Sequence, residues 1–416
     1  MKYSSPRGTK DILPKEIKIW QFLEEKARQI FENYNYCEIR TPIFEQTELF
    51  TRSIGSETDI VGKEMYTFID KGDRSITLRP EETAPVVRAC IENNLLGLNE
   101  FIKLYYIGPM FRYERPQAGR LRQFHQAGVE VFGSEDPLLD VEIIDLGIKY
   151  FTEIGLPDLE VDINSVGCSL CGPKFKEELK NLFRDNVDDL CENCKKRYQT
   201  NPLRILDCKE PQCQSYIKNA PASFDFICEH CKAHFDKVLN FMKQFGIKFK
   251  LNKRLVRGLD YYTKTTFEII SKSLGAQNAV CGGGRYDNLV EELGGRSTPA
   301  VGFAIGLDRL LMVLEAQKVK KPDSGRLKAY IAVLGEEAKQ KGFEILRSLR
   351  NMGVRSDMDF QGKSLNSQMK VADKLGAEFT IIIGEDELKN GLAVIRSMDN
   401  KAQEQVKFEE ILRKFR

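Results

Sequence analysis

The segment FIKLYYIGPMFRYERPQAGRLRQFHQAGVEVFG, residues 101–133, decides the fold of this chain. Aromatic and β-branched residues alternate with small or polar ones on both sides of a polar centre, which predicts strands at residues 101–113 and 123–133. The loop between them, residues 114–122, is polar. The sequence therefore predicts two strands joined by a polar loop in this part of the chain.

One face of this hairpin has the composition of a binding surface. Phe124, Gln126 and Glu130 lie on the same face of the second strand, because successive side chains of a strand point to opposite faces. Arg112 belongs to a similar face of the first strand, beside Gly108. We expect the glycines to leave room above the sheet, while arginine and glutamate place opposite charges over it. Such a surface is suited to a nucleotide and a zwitterion.

Arginines recur where an anionic ligand would be held. The loop at residues 114–122 contains three of them, and guanidinium groups match phosphate oxygens in pairs. A later strand–helix unit, residues 299–309, ends with Arg309 in the first turn of its helix, where a cation opposes the helix dipole unless an anion lies nearby. His125 lies on the opposite face of the second strand, so we expect it to pack rather than to act as a base.

Composition excludes several classes of protein. The 416 residues are 42% apolar, and 63 Lys+Arg balance 61 Asp+Glu to a net charge of +2. The chain is therefore neither a polybasic nucleic-acid coat nor a disordered acidic tail. No run approaches the roughly 18 apolar residues that a membrane span needs, and residues 1–14 lack the apolar core of a secretory signal. We predict a cytoplasmic protein that does not enter a membrane.

Eight of the 11 cysteines fall in four close pairs within one segment. Each short loop presents two thiolates to one side of a metal, so the pairs fit two tetrahedral four-thiolate zinc sites, with their combination left open by the spacing. The alternative is reduced cysteine without metal, since disulfides are disfavoured in the cytoplasm. His230 and His234 are weaker candidates to replace a thiolate. The candidate ligands are Cys168, Cys171, Cys191, Cys194, Cys208, Cys213, Cys228 and Cys231.

The chain is predicted to contain three domains. Residues 1–166 and 241–316 form the two parts of one α+β domain, which the cysteine-rich insertion at residues 167–240 interrupts. Residues 317–326 (QKVKKPDSGR) are predicted to be a linker, because they include Pro and Gly and almost no apolar residue. Residues 327–416 alternate strands with helical stretches, which predicts a small α/β domain.

Together these segments resemble the class II aminoacyl-tRNA synthetases, and among them the histidyl-tRNA synthetase family. The likeness spans essentially the whole chain. Three segments match the class motifs, namely IRTP at residues 39–42, FRYER at 111–115 with FHQ at 124–126, and GLDR at 306–309. Two more are typical of the histidine enzymes: RGLDYY at residues 257–262, the first histidine box, and CGGGRYD at residues 281–287, the second histidine box.

The resemblance implies the fold, the substrates and the partners. The fold is α+β, with an antiparallel-sheet catalytic domain, a cysteine-rich insertion and a C-terminal α/β anticodon-binding domain. The implied reaction joins L-histidine to histidine tRNA with ATP and Mg²⁺, in a homodimer whose interface includes residues 39–42. Because relatives can lack the insertion cysteines, any zinc would be structural.

The resemblance also implies roles for matching residues. Arg112 and Arg257 would be catalytic, stabilising charge on the α-phosphate. The histidine site would comprise Glu81, Glu82, Thr83, Arg112, Gln126, Glu130, Arg257, Tyr261 and Tyr262, with at most a backbone contact from Glu82. The ATP site would comprise Arg112, Glu114, Phe124 and Arg309. The tRNA acceptor end would meet Gln117 and Arg122.

Two other functions compete with tRNA charging. A histidine-binding regulatory paralogue of histidine biosynthesis would bind histidine without charging tRNA, but such proteins typically lack the C-terminal domain and have eroded motifs, both of which this chain keeps. A zinc-dependent nucleic-acid-binding module would account for the cysteines and leave the rest of the chain unexplained.

Overall fold

The computed structural model describes residues 3–55, 58–97, 101–117, 119–156, 158–206, 208–271, 279–319 and 326–415. The chain divides into two compact units, Met1–Lys320 and Lys321–Arg416. The division falls inside the predicted linker at residues 317–326, of which residues 320–325 lie outside the described part. Among the described residues, no helix combines the length and apolar character needed to cross a membrane.

The first unit is built on a sheet of eight strands in its described part. The sheet order is β1-β5-β6-β11-β10-β9-β7-β8, and a small separate sheet has the order β2-β4-β3. The strands are β1 (Cys37–Glu38), β2 (Phe44–Gln46), β3 (Tyr66–Ile69), β4 (Ser75–Leu78), β5 (Ile102–Phe111), β6 (Gln123–Phe132), β7 (Leu159–Ser165), β8 (Phe249–Leu251), β9 (Thr263–Ser271), β10 (Ala279–Arg285) and β11 (Ala300–Gly306). In the large sheet only the outermost pairs, β1/β5 and β7/β8, are parallel, so the predicted antiparallel sheet is confirmed.

Helices of the first unit cover the sheet and form the insertion. They are α1 (Ile17–Asn33), α2 (Thr47–Ile54), α3 (Thr83–Glu92), α4 (Pro137–Glu153), α5 (Gly172–Phe183), α6 (Glu192–Thr200), α7 (Pro211–Ile217), α8 (Glu229–Gln244), α9 (Leu289–Glu292) and α10 (Leu307–Ala316). The apolar stripe of α1, including Trp20, Leu23 and Ala27, is buried in one core with Val129 and Val131 of β6. The opposite face of β6 therefore remains for the polar side chains.

The start of α3 differs from the sequence-based expectation. The sequence predicts a helix beginning at Pro80, because proline and two following glutamates suit a first helical turn. The helix instead begins at Thr83. The Glu81 carboxylate accepts hydrogen bonds from the backbone N–H groups of Thr83 (2.8 Å) and Ala84 (2.9 Å), so Glu81 caps the helix from outside it.

The insertion fills the connection between β7 and β8, which pair in parallel. Its described helices, α5 to α7, have a core of their own, in which Phe175, Leu179 and Phe183 pack with Cys194 and Cys213. The last helix, α8, returns the chain and contributes Phe235, Val238 and Met242 to the main core. The insertion is therefore anchored at the sheet but packed around its cysteines.

The second unit has a five-stranded sheet in its described part, with the order β13-β12-β14-β15-β16. Its strands are β12 (Ala329–Val333), β13 (Ser356–Met358), β14 (Phe379–Ile383), β15 (Leu392–Ser397) and β16 (Gln403–Lys407), and its helices are α11 (Glu336–Asn351), α12 (Leu365–Lys374), α13 (Glu385–Asn390) and α14 (Phe408–Ile411). The first three strands of the sheet are parallel and the last two pair antiparallel. The sequence predicts strands at residues 329–334, 353–357, 379–383 and 393–397 but not β16, since QEQVK contains one apolar residue, the buried Val406.

Candidate active site

A cavity of about 270 Å³ opens over the large sheet. Its walls come from the ends of β5 and β6, from β10 and β11, from the first turn of α10 and from the first histidine box. Eleven of the sequence-predicted site residues line it, namely Glu81, Thr83, Arg112, Glu114, Phe124, Gln126, Glu130, Arg257, Tyr261, Tyr262 and Arg309. The cavity thus gathers groups from five separate stretches of sequence.

Glu130 is the most deeply buried acid of the cavity, with 1% of its surface exposed. It accepts a hydrogen bond from the hydroxyl of Thr83 (2.7 Å) and another from the hydroxyl of Tyr286. Burial raises the pKa of Glu130 to about 8, although these two hydrogen bonds oppose the shift. The Glu130 carboxyl is therefore a fixed, pH-sensitive partner for a polar ligand group.

This pKa predicts a pH dependence of stability. Since the pKa of Glu130 is higher in the folded chain than in the unfolded chain, its contribution to stability is complete below the unfolded pKa and is lost as pH rises through the folded pKa. In the ligand-free wild type we expect the unfolding free energy to fall between about pH 5 and pH 8. In Glu130→Gln we expect this fall to be smaller by on the order of 1–3 kcal/mol. Denaturant titrations at both pH values measure this, with the exposed Glu25→Gln as control; equal slopes for wild type and Glu130→Gln would contradict the assignment.

Protein side chains, rather than a ligand, occupy the space above several glycines of the sheet. A Cβ atom at Gly302 would overlap the Glu130 carboxylate, and one at Gly282 would overlap the Arg257 guanidinium. The expectation that Gly108 leaves room above the sheet is wrong, because a Cβ there would lie 2.5 Å from Nη2 of Arg79. The space over these glycines belongs to protein side chains.

Arg257 lies at the cavity wall, where the Glu268 carboxylate accepts a hydrogen bond from its Nη1. The centre of its guanidinium is 5.8 Å from the ring centre of Tyr262. Burial disfavours the charge of Arg257, but Tyr262 and Glu268 outweigh it and raise the pKa of the guanidinium above its ordinary value. Arg257 is therefore a permanent cation with a fixed position.

A second group of cations comes from the two class motifs. Arg112 donates from Nε to the carbonyl of Pro80 (2.9 Å), and its guanidinium centre lies 5.3 Å from the ring centre of Phe124. Arg309 donates to the carbonyl of Ala279 (3.1 Å). Burial and the nearby Arg120 lower the pKa of Arg309, so an anion beside it would relieve both effects. These arginines bring positive charge to the cavity, and guanidinium groups match phosphate oxygens in pairs.

Two groups are suited to an ammonium or a polar ligand. The buried Glu81 carboxylate is approached by the hydroxyl of Tyr261 (3.4 Å), and burial raises its pKa against the effect of its backbone hydrogen bonds. Oε1 of Gln126 is buried and accepts no hydrogen bond from the described residues. An unpaired buried carbonyl oxygen is costly, so a donor on a ligand would stabilise it.

Three predicted site residues do not line the cavity. Glu82 is buried, and its Oε1 accepts from Thr41 (2.7 Å) and Arg79 (2.9 Å). Gln117 pairs its backbone with Arg120 in the loop at residues 114–122. The guanidinium of Arg122 stacks on the ring of Tyr113 at 3.7 Å. These positions fit a structural role for Glu82 and leave the other two on a loop whose Arg120 and Leu121 line the cavity.

Tyr286 and Glu268 are two of the cavity residues that were not predicted from the sequence, and both hydrogen-bond a predicted site residue. Tyr286 lies in the second histidine box, directly after an arginine that is fully buried between Asp140 and Asp287. Glu268 pairs with Gly282 across β9 and β10. One available signal was Gly282 of the second histidine box, since it lies opposite Glu268 and the Arg257 guanidinium occupies the space where its Cβ would be.

The eight insertion cysteines form two clusters. Sulfur atoms within each cluster all lie within 4.8 Å of one another. Individual Sγ–Sγ distances are 3.6 Å for Cys168–Cys171, 4.0 Å for Cys168–Cys228, 3.9 Å for Cys171–Cys231 and 3.8 Å for Cys191–Cys208. Tetrahedral zinc with Zn–S bonds of about 2.3 Å requires sulfurs about 3.8 Å apart, so both clusters fit the ion. The outer cluster is Cys168, Cys171, Cys228 and Cys231, and the inner cluster is Cys191, Cys194, Cys208 and Cys213.

His230 and His234 belong to neither cluster. His234 donates to or accepts from the buried Asp140 carboxylate, with 3.0 Å between Nε2 and Oδ2. His125 packs edge-on against Trp20 with 4.8 Å between ring centres, and its backbone N–H donates to Asp308 (2.6 Å). These contacts fit the packing expected for His125, but His125 also lines the cavity, so its place on the opposite face of the strand does not remove it from the site.

An antiparallel sheet whose cleft is lined by arginines from two class motifs defines a class II aminoacyl-tRNA synthetase. Residues 8–310 match the family model described as Histidyl-tRNA synthetase, and residues 328–416 match the model described as Anticodon binding domain. The chain belongs to the histidyl-tRNA synthetase family.

Individual relatives cover the chain from end to end. It is 52% identical to the histidine–tRNA ligase of Halothermothrix orenii over 406 residues, 98% of this chain and 97% of the relative. It is 50% identical to the histidine–tRNA ligase of Desulforamulus reducens over 412 residues, 99% of this chain and 98% of the relative. The solved structure of apo S. aureus histidyl-tRNA synthetase is 39% identical, with a TM-score of 0.84 and 99% of both chains covered.

Fold alone does not separate the synthetase from the regulatory alternative. A Bacillus halodurans protein described as an ATP phosphoribosyltransferase regulatory subunit/histidyl-tRNA synthetase has a TM-score of 0.65 at 22% identity. It covers 92% of this chain and 99% of its own. The identity of about one half to full-length ligases is what favours the synthetase.

Proposed function

We propose that this protein activates L-histidine with ATP and transfers the histidyl group to the 3′ end of histidine tRNA. The observation that carries the proposal is the composition of one cavity, in which buried carboxyls and phenols share the walls with the guanidinium groups of Arg112, Arg257 and Arg309. The acidic and phenolic groups suit the amino acid, and the cations suit the phosphates of ATP.

The chemistry needs position and charge rather than a protein nucleophile. The histidine carboxylate attacks the α-phosphorus of ATP, a P–O bond to the β-phosphate breaks, and pyrophosphate leaves with the Mg²⁺ that ATP brings. Negative charge accumulates on the α-phosphoryl oxygens, where Arg112 and Arg257 would stabilise it. A ribose hydroxyl of the tRNA then attacks the histidyl carbonyl carbon, and AMP leaves.

Selection of histidine would depend on the buried Glu130 and on Tyr262. A carboxylate and a phenol can pair both ring nitrogens of an imidazole. An amino acid without those nitrogens would leave buried polar groups unpaired, which discriminates by roughly 10⁴-fold. Gln126 and Glu81 would hold the α-amino group, since each offers a buried oxygen to a donor.

Two assays test the proposal. Histidine-dependent exchange of pyrophosphate into ATP measures the first step, and charging of histidine tRNA measures the second. We expect both, with histidine as the only amino acid that supports exchange. Histidine binding without exchange or charging would indicate the regulatory paralogue, and exchange with another amino acid would overturn the assignment of the cavity.

We propose a homodimer in the cytoplasm. Phe44 of β2 and Phe68 of β3 are 55% and 47% exposed, and the register of the small sheet places them on the same face. Exposed aromatic residues on one face of a sheet are typical of an interface, and this sheet follows the first class motif in the chain. Clustered reduced thiols fit a cytoplasmic location.

We propose that both cysteine clusters hold structural zinc. Four sulfurs at tetrahedral spacing form a closed site with no open position for a substrate, so the ions would be structural. We expect about two zinc ions per chain in protein purified without chelator. Elemental analysis measures this; fewer than about 0.2 zinc per chain, with all eight thiols freely titratable, would refute the proposal.

A further inference from the structure

The inner cluster closes a loop that touches the first histidine box. Cys194 and Cys208 belong to this cluster, and the described residues between them include the end of α6 and a short 3₁₀ turn, Pro202–Ile205. A single turn of 3₁₀ helix does not hold its shape alone, because so few hydrogen bonds offset the lost chain entropy. The position of this loop therefore depends on what fixes its two ends.

Arg204 and Asn201 of this loop bind the first histidine box directly. Arg204 donates from Nη2 to the carbonyl of Gly258 (2.6 Å) and to Oδ1 of Asp260 (3.3 Å). Asn201 donates from Nδ2 to the same Asp260 oxygen at 3.0 Å. The Arg204 side chain is 13% exposed, so its charged hydrogen bonds are only weakly screened by solvent.

A second contact braces the loop against the catalytic domain. Arg197 donates from Nη2 to Oδ2 of Asp59 (2.8 Å) and from Nη1 to the carbonyl of Arg204 (3.2 Å). Asp260 in turn donates its backbone N–H to the carbonyl of Ile54 (3.2 Å). The loop is thus held by the contact between Arg197 and Asp59, and the first histidine box by the contact between Asp260 and Ile54.

The residues that flank this contact line the cavity. Arg257 precedes Gly258, and Tyr261 and Tyr262 follow Asp260. A displacement of the backbone at Gly258–Asp260 would carry these side chains with it. Since ligand affinity depends on groups being held in place before binding, such a displacement would weaken histidine binding.

We propose that metal in the inner cluster positions the first histidine box, with Arg197, Asn201 and Arg204 as positioning residues between metal and histidine. The inference rests on the proposed function of the cavity and on the proposed zinc. The outer cluster has a different role: it joins Cys168 and Cys171, where the chain leaves β7, to Cys228 and Cys231 at the start of α8. It would stabilise the base of the insertion without touching the histidine box.

The test compares zinc content with histidine affinity, measured by calorimetry without ATP, in variants of the full-length protein. We expect Arg204→Ala to keep both zinc ions and to weaken histidine binding about tenfold, with the KM for ATP within about threefold of wild type. Cys208→Ser should lose one zinc and weaken histidine binding by a similar factor. Because both changes break the same link, the double variant should be no weaker than the stronger single variant.

Two matched variants serve as controls. Arg184→Ala removes an exposed arginine of the insertion whose guanidinium donates to the side chain of Asn181, and histidine affinity should not change. Cys231→Ser should lose one zinc and lower the melting temperature, with histidine affinity within about threefold of wild type. If Cys208→Ser does not fold, partial chelation of the wild type followed by zinc re-addition gives the same comparison.

Several results would overturn the inference. These are unchanged histidine affinity in Arg204→Ala or after loss of the inner zinc, additive losses in the double variant, or an inner cluster without metal. In each case pyrophosphate exchange and tRNA charging by the wild type would persist, so the failure would be distinct from a failure of the proposed function.

Discussion

Adenylate formation should fall by about 10²–10³-fold in Arg257→Ala, far more than the binding of ATP or histidine weakens. Arg257 is a fixed cation whose charge is maintained by Glu268 and Tyr262, and negative charge grows on the α-phosphate only as the reaction proceeds. An interaction that strengthens in the transition state affects rate more than affinity. Rapid-quench measurement of histidyl-adenylate in a single turnover measures this effect.

The control for this prediction is Arg254→Ala, which removes an exposed arginine three residues before Arg257. We expect it to form adenylate at the wild-type rate. A rate for Arg257→Ala within about threefold of wild type would remove Arg257 from the catalytic groups.

Deletion of residues 324–416 should leave pyrophosphate exchange largely intact and reduce kcat/KM for tRNA charging by on the order of 10²-fold or more, since two or more lost nucleic-acid contacts of about 1–3 kcal/mol each would give that factor. The second unit has its own core, in which Ile331, Leu346 and Ile381 are fully buried, and it matches an anticodon-binding family. It should therefore be separable from the catalytic sheet. Steady-state charging and exchange assays on the truncated protein measure the two effects.

Circular dichroism and sedimentation on the truncated protein are the necessary controls, because a damaged fold or dimer would lower both activities together. Unchanged kcat/KM for charging in a folded truncated protein would assign the second unit another role.

Local pattern was enough to predict much of the catalytic sheet. The alternation in β6 placed Phe124, Gln126 and Glu130 on one face, and all three line the cavity. Apolar residues recur at helical spacing from Ile17 to Phe31, which predicts one buried stripe, because the helical period depends only on near neighbours in the sequence. Five of these residues are buried in α1: Trp20, Leu23, Ala27, Ile30 and Phe31. The cysteine pairs were likewise visible from spacing.

Contacts between distant residues could not be predicted in this way. The hydrogen bond from Tyr286 to Glu130 joins positions 156 residues apart. It depends on the order of the strands, in which β11 lies between β6 and β10. Spacing alone also left the combination of the cysteine pairs open, since any two of the four pairs supply the four thiolates of a zinc site. The start of α3 was misplaced because the capping carboxylate comes from Glu81, outside the helix.

The outer cluster has a consequence for how this protein could be rebuilt. It brings the first and last cysteine loops of the insertion together, with Cys171 and Cys231 sulfurs 3.9 Å apart. If the residues between Cys171 and Cys228 were removed, the two chain ends would therefore already be adjacent, and a short glycine turn could join them. The helix α8 would still complete the parallel crossover from β7 to β8. In engineering terms the insertion is a replaceable module whose two ends are held together by the outer cluster. Another module could be inserted at that point without changing the strands of the sheet.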